Sequence, residues 1–280
     1  MDAVSTPRSH PGRVRPTAPV EVSLGVLPAV LAVVVLAVPF MVILGIAAAI
    51  VPSVPWWIGS ALGLLSAAVV VGYRLRTAHD VVVTQLMERG STVSDVRLAN
   101  MVGRLALTAG VEEPDSFVFN DGAANAMIVA RNEMATLLVT RGLLEQLEPV
   151  ELEAVVADLL VRLRNGDAEA ATIVAALYRI PIMGPLSAAL FRPVATIGQG
   201  RLLENGRDLA ADEQAIALTR YPPGLLQALV KIKTSERRPQ AIPDDLDELW
   251  LVDPDVGVGA DGDRSLRSSL DLRIDVLNEL

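Results

Sequence analysis

The residue types that do acid–base or metal chemistry are sparse in this chain. It has two histidines, His10 and His79, no cysteine, and 33 Asp+Glu among 280 residues. Carboxylates therefore dominate the candidate chemistry. Glu204, Asp208 and Asp212 recur every fourth residue on a predicted helix, a spacing that puts them on one face. Such a face is either a carboxylate dyad suited to general acid–base work or a solvated acidic surface that Arg201 and Arg207 neutralise. Asp158 and Arg162 are also four apart, so a helix there pairs a carboxylate with a guanidinium. Serine hydrolysis has no support, because no G-x-S-x-G or S-x-x-K arrangement occurs. No G-x-x-x-x-G-K-[ST] phosphate-binding loop is present. The scattered methionines read as packing. With a net charge of −9 and no basic stripe interleaved with aromatics, nucleic acid is not an expected partner.

The elements that must hold these residues fall into three parts. Residues 1–21 form a tail rich in Pro, Ser, Thr and Arg, expected to be disordered. Residues 22–76 hold two apolar helices, about Ser23 to Val51 and Trp56 to Tyr73, with no charged residue from Val22 to Tyr73. A bilayer crossing needs roughly 20 apolar residues, so this stretch is long enough for two, broken at Pro52 and Pro55. It is too long for a signal-peptide core and is followed directly by a second run; a buried hairpin in a soluble core is the plainer alternative. Trp56 and Trp57 suit an interfacial anchor. Arg8, Arg13 and Arg15 precede the first helix, Arg74 and Arg76 follow the second, and the turn between carries no charge. The positive-inside rule then places both ends, and the rest of the chain, on the cytoplasmic side of the cell membrane. The absence of cysteine agrees with that compartment.

Residues 80–280 read as an α+β domain, mostly helical with a small sheet. Leu98, Met101, Val102, Leu105 and Ala109 recur at helical spacing and predict a helix over Arg97 to Ala109, stopped by Gly110. Ser116 to Phe119 and Met134 to Thr140 are strand candidates, the first closed by the turn Asn120-Asp121-Gly122. A short helical turn runs from Thr140 through Leu147. A strong helix follows from Pro149 to Asn165, with proline at its start and Gly166 after its end. Ala168 to Gly198 is apolar but interrupted by prolines and arginines, which favours a segment packed on the domain or dipping into a surface over a full span. Further helices are expected at Leu202 to Thr219, Gly224 to Lys233 and Ser268 to Leu280, with an acidic loop from Pro243 to Asp263.

This order of segments resembles the HtpX-like zinc metallopeptidases. Several local strings carry the resemblance, in register over most of the chain. Leu98-Ala99-Asn100-Met101-Val102 through Ala109-Gly110-Val111 looks like the family's first cytoplasmic helix. Asn125-Ala126 looks like its asparagine–alanine pair, and Thr140-Arg141-Gly142-Leu143-Leu144 like its T-x-G-L-L step. Glu151 to Ala157 is similar to the run into the active-site helix, and Asn165-Gly166-Asp167 to its exit. Leu249-Trp250-Leu251-Val252-Asp253-Pro254 is similar to the late strand before the last helix. The resemblance implies a transmembrane helical hairpin followed by a metallopeptidase-like (zincin) domain.

It also implies a zinc site. In the family an H-E-x-x-H helix supplies two histidines, a later helix supplies a glutamate, and the glutamate beside the first histidine serves as general base. In register, this chain has Asp158 and Arg162 at the histidine positions, Leu159 at the general-base position and Asp208 at the third-ligand position. The C-terminal His-Pro element is replaced near Ser269-Leu270-Asp271. A guanidinium has no lone pair to give a metal, leucine accepts no proton, and no histidine follows His79. The expectation is a pseudo-protease without catalytic or metal-binding residues and without a cofactor, in which Arg162 bridges Asp158 and Asp208 where the zinc ion would sit. The rival is an active metalloendopeptidase with a non-standard site. The resemblance further implies a substrate-edge strand, assigned to Met134, Ala135, Thr136, Leu137, Leu138, Val139 and Thr140, to which a peptide or membrane-protein partner would add. The expected setting is a multi-pass protein of the inner membrane.

Overall fold

In the computed structural model, residues 23–51, 54–89, 91–178, 207–235, 249–252 and 270–280 are described. The N-terminal tail with His10, Arg201 and Glu204, residues 179–198, the flanks of the acidic stretch around 249–252, and Ser269 lie outside them. The first two helices are α1 (Ser23–Ile50) and α2 (Trp56–Arg76). α2 is long and apolar enough to cross a bilayer. The two pack closely because α2 turns Gly59, Gly63, Ala67 and Val71 inward, one every fourth residue. A Cβ on Gly63 would stand 2.6 Å from the Met41 backbone nitrogen, so only glycine permits that approach.

After Thr77 the chain enters α3 (Ala78–Arg89), then β1 (Thr92–Val93) and α4 (Val96–Ala109). Asp95 caps α4 by accepting from the Arg97 and Leu98 amides, and Gly110 ends it in the left-handed region at φ 72°. β2 (Asp115–Phe119), β3 (Ala126–Arg131) and β4 (Met134–Thr140) complete a four-stranded sheet of order β1-β2-β4-β3. β4 lies parallel to β2 and antiparallel to β3.

This topology corrects the edge assignment. Met134 to Thr140 is a strand, but a central one, with β2 and β3 on its two sides. The edges are β1 and β3. The reason is a strand absent from the sequence reading. Ala126–Arg131 turns back on β4 through Asn132 and Glu133, with Asn132 at φ 55° supplying the left-handed residue. Nor does Asn120-Asp121-Gly122 close a hairpin, since β2 pairs with β4 in parallel; Asp121 instead accepts from the Ala123 amide at 2.8 Å in a local turn.

The remaining helices are α5 (Arg141–Gln146), α6 (Pro149–Asn165), α7 (Asp167–Tyr178), α8 (Arg207–Thr219), α9 (Pro222–Thr234) and α10 (Leu270–Asn278). The sheet is covered on both faces. Leu137, Val139, Ile128 and Ala130 join Leu98, Val102, Val155 and Leu159 of α4 and α6. Leu138, Met127 and Val129 join Val82 and Leu86 of α3, Ala175 of α7 and Trp250. α7 also faces the first two helices, where Ile173 packs among Leu36, Ala37, Ala67 and Val71. Arg131 ties the same junction together: its Nε donates to the Leu75 carbonyl near the end of α2 at 2.8 Å, and its guanidinium pairs with Glu169 of α7.

Candidate functional site

α6 is the helix that positions the central residues. Glu148 and Glu151 form a capping box at its start, Pro149 occupies its first turn, and Gly166 at φ 81° ends it. Its middle is buried all round: Asp158 is fully buried, and Leu159 is part of the core beside the sheet. α8 lies against α6 and contributes Asp208 and Asp212, one turn apart and both buried. This corrects the solvated acidic face expected for α8. α10 contributes Arg273, also buried.

Asp158, Arg162, Asp208, Asp212 and Arg273 form a ladder of alternating charge. The Arg162 Nε donates to Asp158 Oδ2 at 2.9 Å, and its Nη1 lies 2.8 Å from Asp208 Oδ1. Arg273 holds Asp212 through two parallel bonds, Nε to Oδ2 at 2.8 Å and Nη2 to Oδ1 at 2.6 Å. Its Nη2 also lies 3.9 Å from Asp158 Oδ2, which joins the two halves. Its Nη1 donates to the Leu251 carbonyl at 3.2 Å. Among the described residues, three carboxylates thus meet two guanidiniums. Two buried atoms of the ladder, Asp158 Oδ1 and Arg162 Nη2, have no hydrogen-bond partner.

The electrostatics follow from that packing. Burial alone would lower the Arg162 pKa, but Asp158, Asp208 and Asp212 more than reverse this and raise it, so the guanidinium stays charged at every accessible pH. Arg273 is treated alike, with burial opposed chiefly by Asp212. Burial pushes Asp212 up, with Arg273 pulling it back incompletely. At the start of α7, burial likewise raises Asp167 against the pull of Arg207, its ion-pair partner.

Asp158, Arg162 and Asp208 thus converge as the sequence register implies. A divalent metal does not fit this arrangement. The Arg162 guanidinium fills the space between the two carboxylates, and among the described residues no three His, Cys, Asp or Glu side chains converge as a ligand set. His79 is held elsewhere, on α3, with its Nε2 3.0 Å from Thr136 Oγ1 and its Nδ1 3.2 Å from Asp80. Asn125, singled out beside Ala126, clamps the segment Leu249–Val252 to the sheet. Its Nδ2 donates to the Val252 carbonyl at 2.6 Å, and its Oδ1 accepts from the Val252 amide at 3.3 Å. Arg273 was missed from sequence. A signal was there: Leu270, Arg273 and Leu277 share the buried face of α10, and an arginine on an apolar stripe demands a buried partner.

Comparison with known proteins finds relatives of this sequence. The chain is 28% identical to the protease HtpX homolog of Limosilactobacillus reuteri (strain DSM 20016), over 71% of this chain and 82% of the relative. It is 29% identical to that of Tropheryma whipplei (strain Twist), over 56% and 63% of the two chains. For Dictyoglomus thermophilum the identity is 30% over 48% and 53%. No protein-family model matches the chain.

Proposed function

We propose that the chain is a member of the HtpX-like family, to whose homologs it is 26–29% identical, and within it a membrane-anchored, metallopeptidase-like protein that has exchanged its zinc ion for an arginine and serves to bind polypeptide rather than cleave it. The observation that carries this reading is the Arg162 guanidinium, hydrogen-bonded to Asp158 and 2.8 Å from Asp208. In this reading the permanent cation takes the metal's position and offsets part of the charge of the two carboxylates that would otherwise be ligands. Leu159, which the resemblance puts at the general-base position, has no lone pair for a proton.

In this reading α1 and α2 cross the cell membrane as a pair. The arginines at both outer ends keep the tail and the domain in the cytoplasm. The domain keeps the packed scaffold of a zincin-type peptidase, and recognition of an extended polypeptide at a sheet edge needs backbone hydrogen bonds and side-chain pockets, not a metal.

The test is a cleavage assay on the detergent-solubilised full chain with a casein substrate, with and without a zinc chelator. The proposal expects no cleavage above background in either arm. Chelator-sensitive cleavage, lost in an Asp158→Ala variant, would favour an active metalloendopeptidase with a non-standard site.

A further inference from the structure

We infer that the open edge of the sheet is closed by the chain's own residues Leu249–Val252, a strap bolted in place by the charge ladder, and that a polypeptide partner binds by replacing this strap. The register of β3 on β4 turns alternate residues, Ala126, Ile128 and Ala130, away from β4. An unpaired edge of this kind is a template for strand addition. Here it is taken. Trp250 bridges Met127 in antiparallel sense, and the Leu251 amide donates to the Ala126 carbonyl at 2.8 Å. At the other end of β3, the Ala130 amide donates to Thr172 Oγ1 at 3.0 Å.

Two side chains lock the strap from outside the ladder of backbone bonds. The Asn125 carboxamide engages both the amide and the carbonyl of Val252, as a neighbouring strand would. Arg273 reaches the Leu251 carbonyl while it holds Asp212 and approaches Asp158. The group that shares in the substituted site is therefore also the bolt on the strap. Among the described residues, the strap meets β3 at this one bridge, while Asn125 and Arg273 add three side-chain bonds to it. The strap also reports what the edge accepts. Trp250 fills a seat formed with Phe119, Met127, Val82 and Leu86, and Leu251 and Val252 are buried toward the helices of the other face. The fitting partner is an extended, apolar segment that presents a large aromatic residue followed by branched aliphatic ones.

The inference rests on the polypeptide-binding half of the proposed function, not on the loss of zinc. Hydrogen–deuterium exchange on the full-length protein in detergent tests it, together with a fluorescein-labelled peptide of residues 246–255. The strap amides should open roughly tenfold or more faster than the amides of β4, as a local unit. Asn125→Ala should speed the strap by a further factor of roughly ten to a hundred, as expected for two lost hydrogen bonds, leave β4 unchanged, and take up the peptide that the parent refuses. Arg273→Lys, which keeps the cation but loses its hold on Leu251, serves as the second variant if Asn125→Ala does not fold. Strap and β4 exchanging in step in parent and variant would mark a permanent strand and overturn the inference. So would a loosened strap without peptide uptake. Peptide capture by the parent with the strap immobile would remove this inference while leaving polypeptide binding itself in place.

Discussion

Removing the arginine from the ladder gives the sharpest quantitative expectation. Arg162→Ala deletes one cation shared by two carboxylates. Their side chains are 0% exposed at Asp158 and 11% at Asp208, and Asp158 already has one oxygen without a partner. Water cannot readily solvate what is left, so the loss is that of a broken buried ion pair, about 3–5 kcal/mol. For a domain of this size each kcal/mol moves the melting midpoint by roughly 2–4 °C, which gives a fall of roughly 6–20 °C. The buried Trp250 provides a fluorescence readout in a mild detergent. Arg162→Lys should fall between parent and alanine variant, because an ammonium keeps the charge but lacks the planar fork that serves both aspartates. The neutral set Asp158→Asn, Arg162→Met and Asp208→Asn should recover most of the loss, since the cost lies in orphaned charge more than in the missing pair. An Arg162→Ala midpoint within about 2 °C of the parent would refute the reasoning, because it would mean that the pair is solvated and contributes little.

Two further expectations concern other parts of the molecule. Gly63→Val pushes side-chain atoms against the backbone of Phe40 and Met41, which cannot yield, and should destabilise the α1–α2 pair by about 1–3 kcal/mol; Gly72→Ala, with open space around it, should be neutral or slightly stabilising, and equal melts for the two would refute the close approach. At Asp167 burial raises the folded pKa above its ordinary 3.8, so the folded chain holds the proton more tightly than the unfolded one. Its stability contribution is then fully present below the ordinary value and lost as pH rises through the folded value. The urea midpoint of the parent relative to Asp167→Asn should therefore fall as pH rises from about 4 to about 8, and a difference that grows with pH would contradict it.

The parts of the fold legible in the sequence are those where one local signal suffices. α4 announces itself by a clean apolar stripe, an aspartate cap and a closing glycine. α6 does so by its proline, capping box and Gly166. The sheet was harder because it is buried on both faces. β3 and β4 read as apolar runs without alternation, and such runs do not reveal which neighbour lies on which side. The turn between them, Asn132-Glu133, lacks the glycine that usually marks a two-residue hairpin. The sequence consequently reads a central strand as an edge. At the site, the i, i+4 spacing puts Asp158 and Arg162 on one face, and the resemblance adds Asp208, which the structure brings to within 2.8 Å of Arg162. Arg273 lay beyond that logic. Its pairing with Asp212 links positions 61 residues apart, and nothing local to either residue names the other. The strap escaped for the same reason, since Asn125 and Val252 meet across 127 residues of chain.

The central claim, that an arginine has taken the place of the catalytic zinc ion, is tested most directly by the metal content of the purified full-length protein, determined by elemental mass spectrometry after exposure to zinc and removal of the excess. Less than about one-tenth of an equivalent of zinc per chain is the expected result, since neither a guanidinium nor leucine can ligate it. One equivalent of tightly held zinc that a chelator removes, and that Asp158→Ala or Asp208→Ala abolishes, would contradict the account.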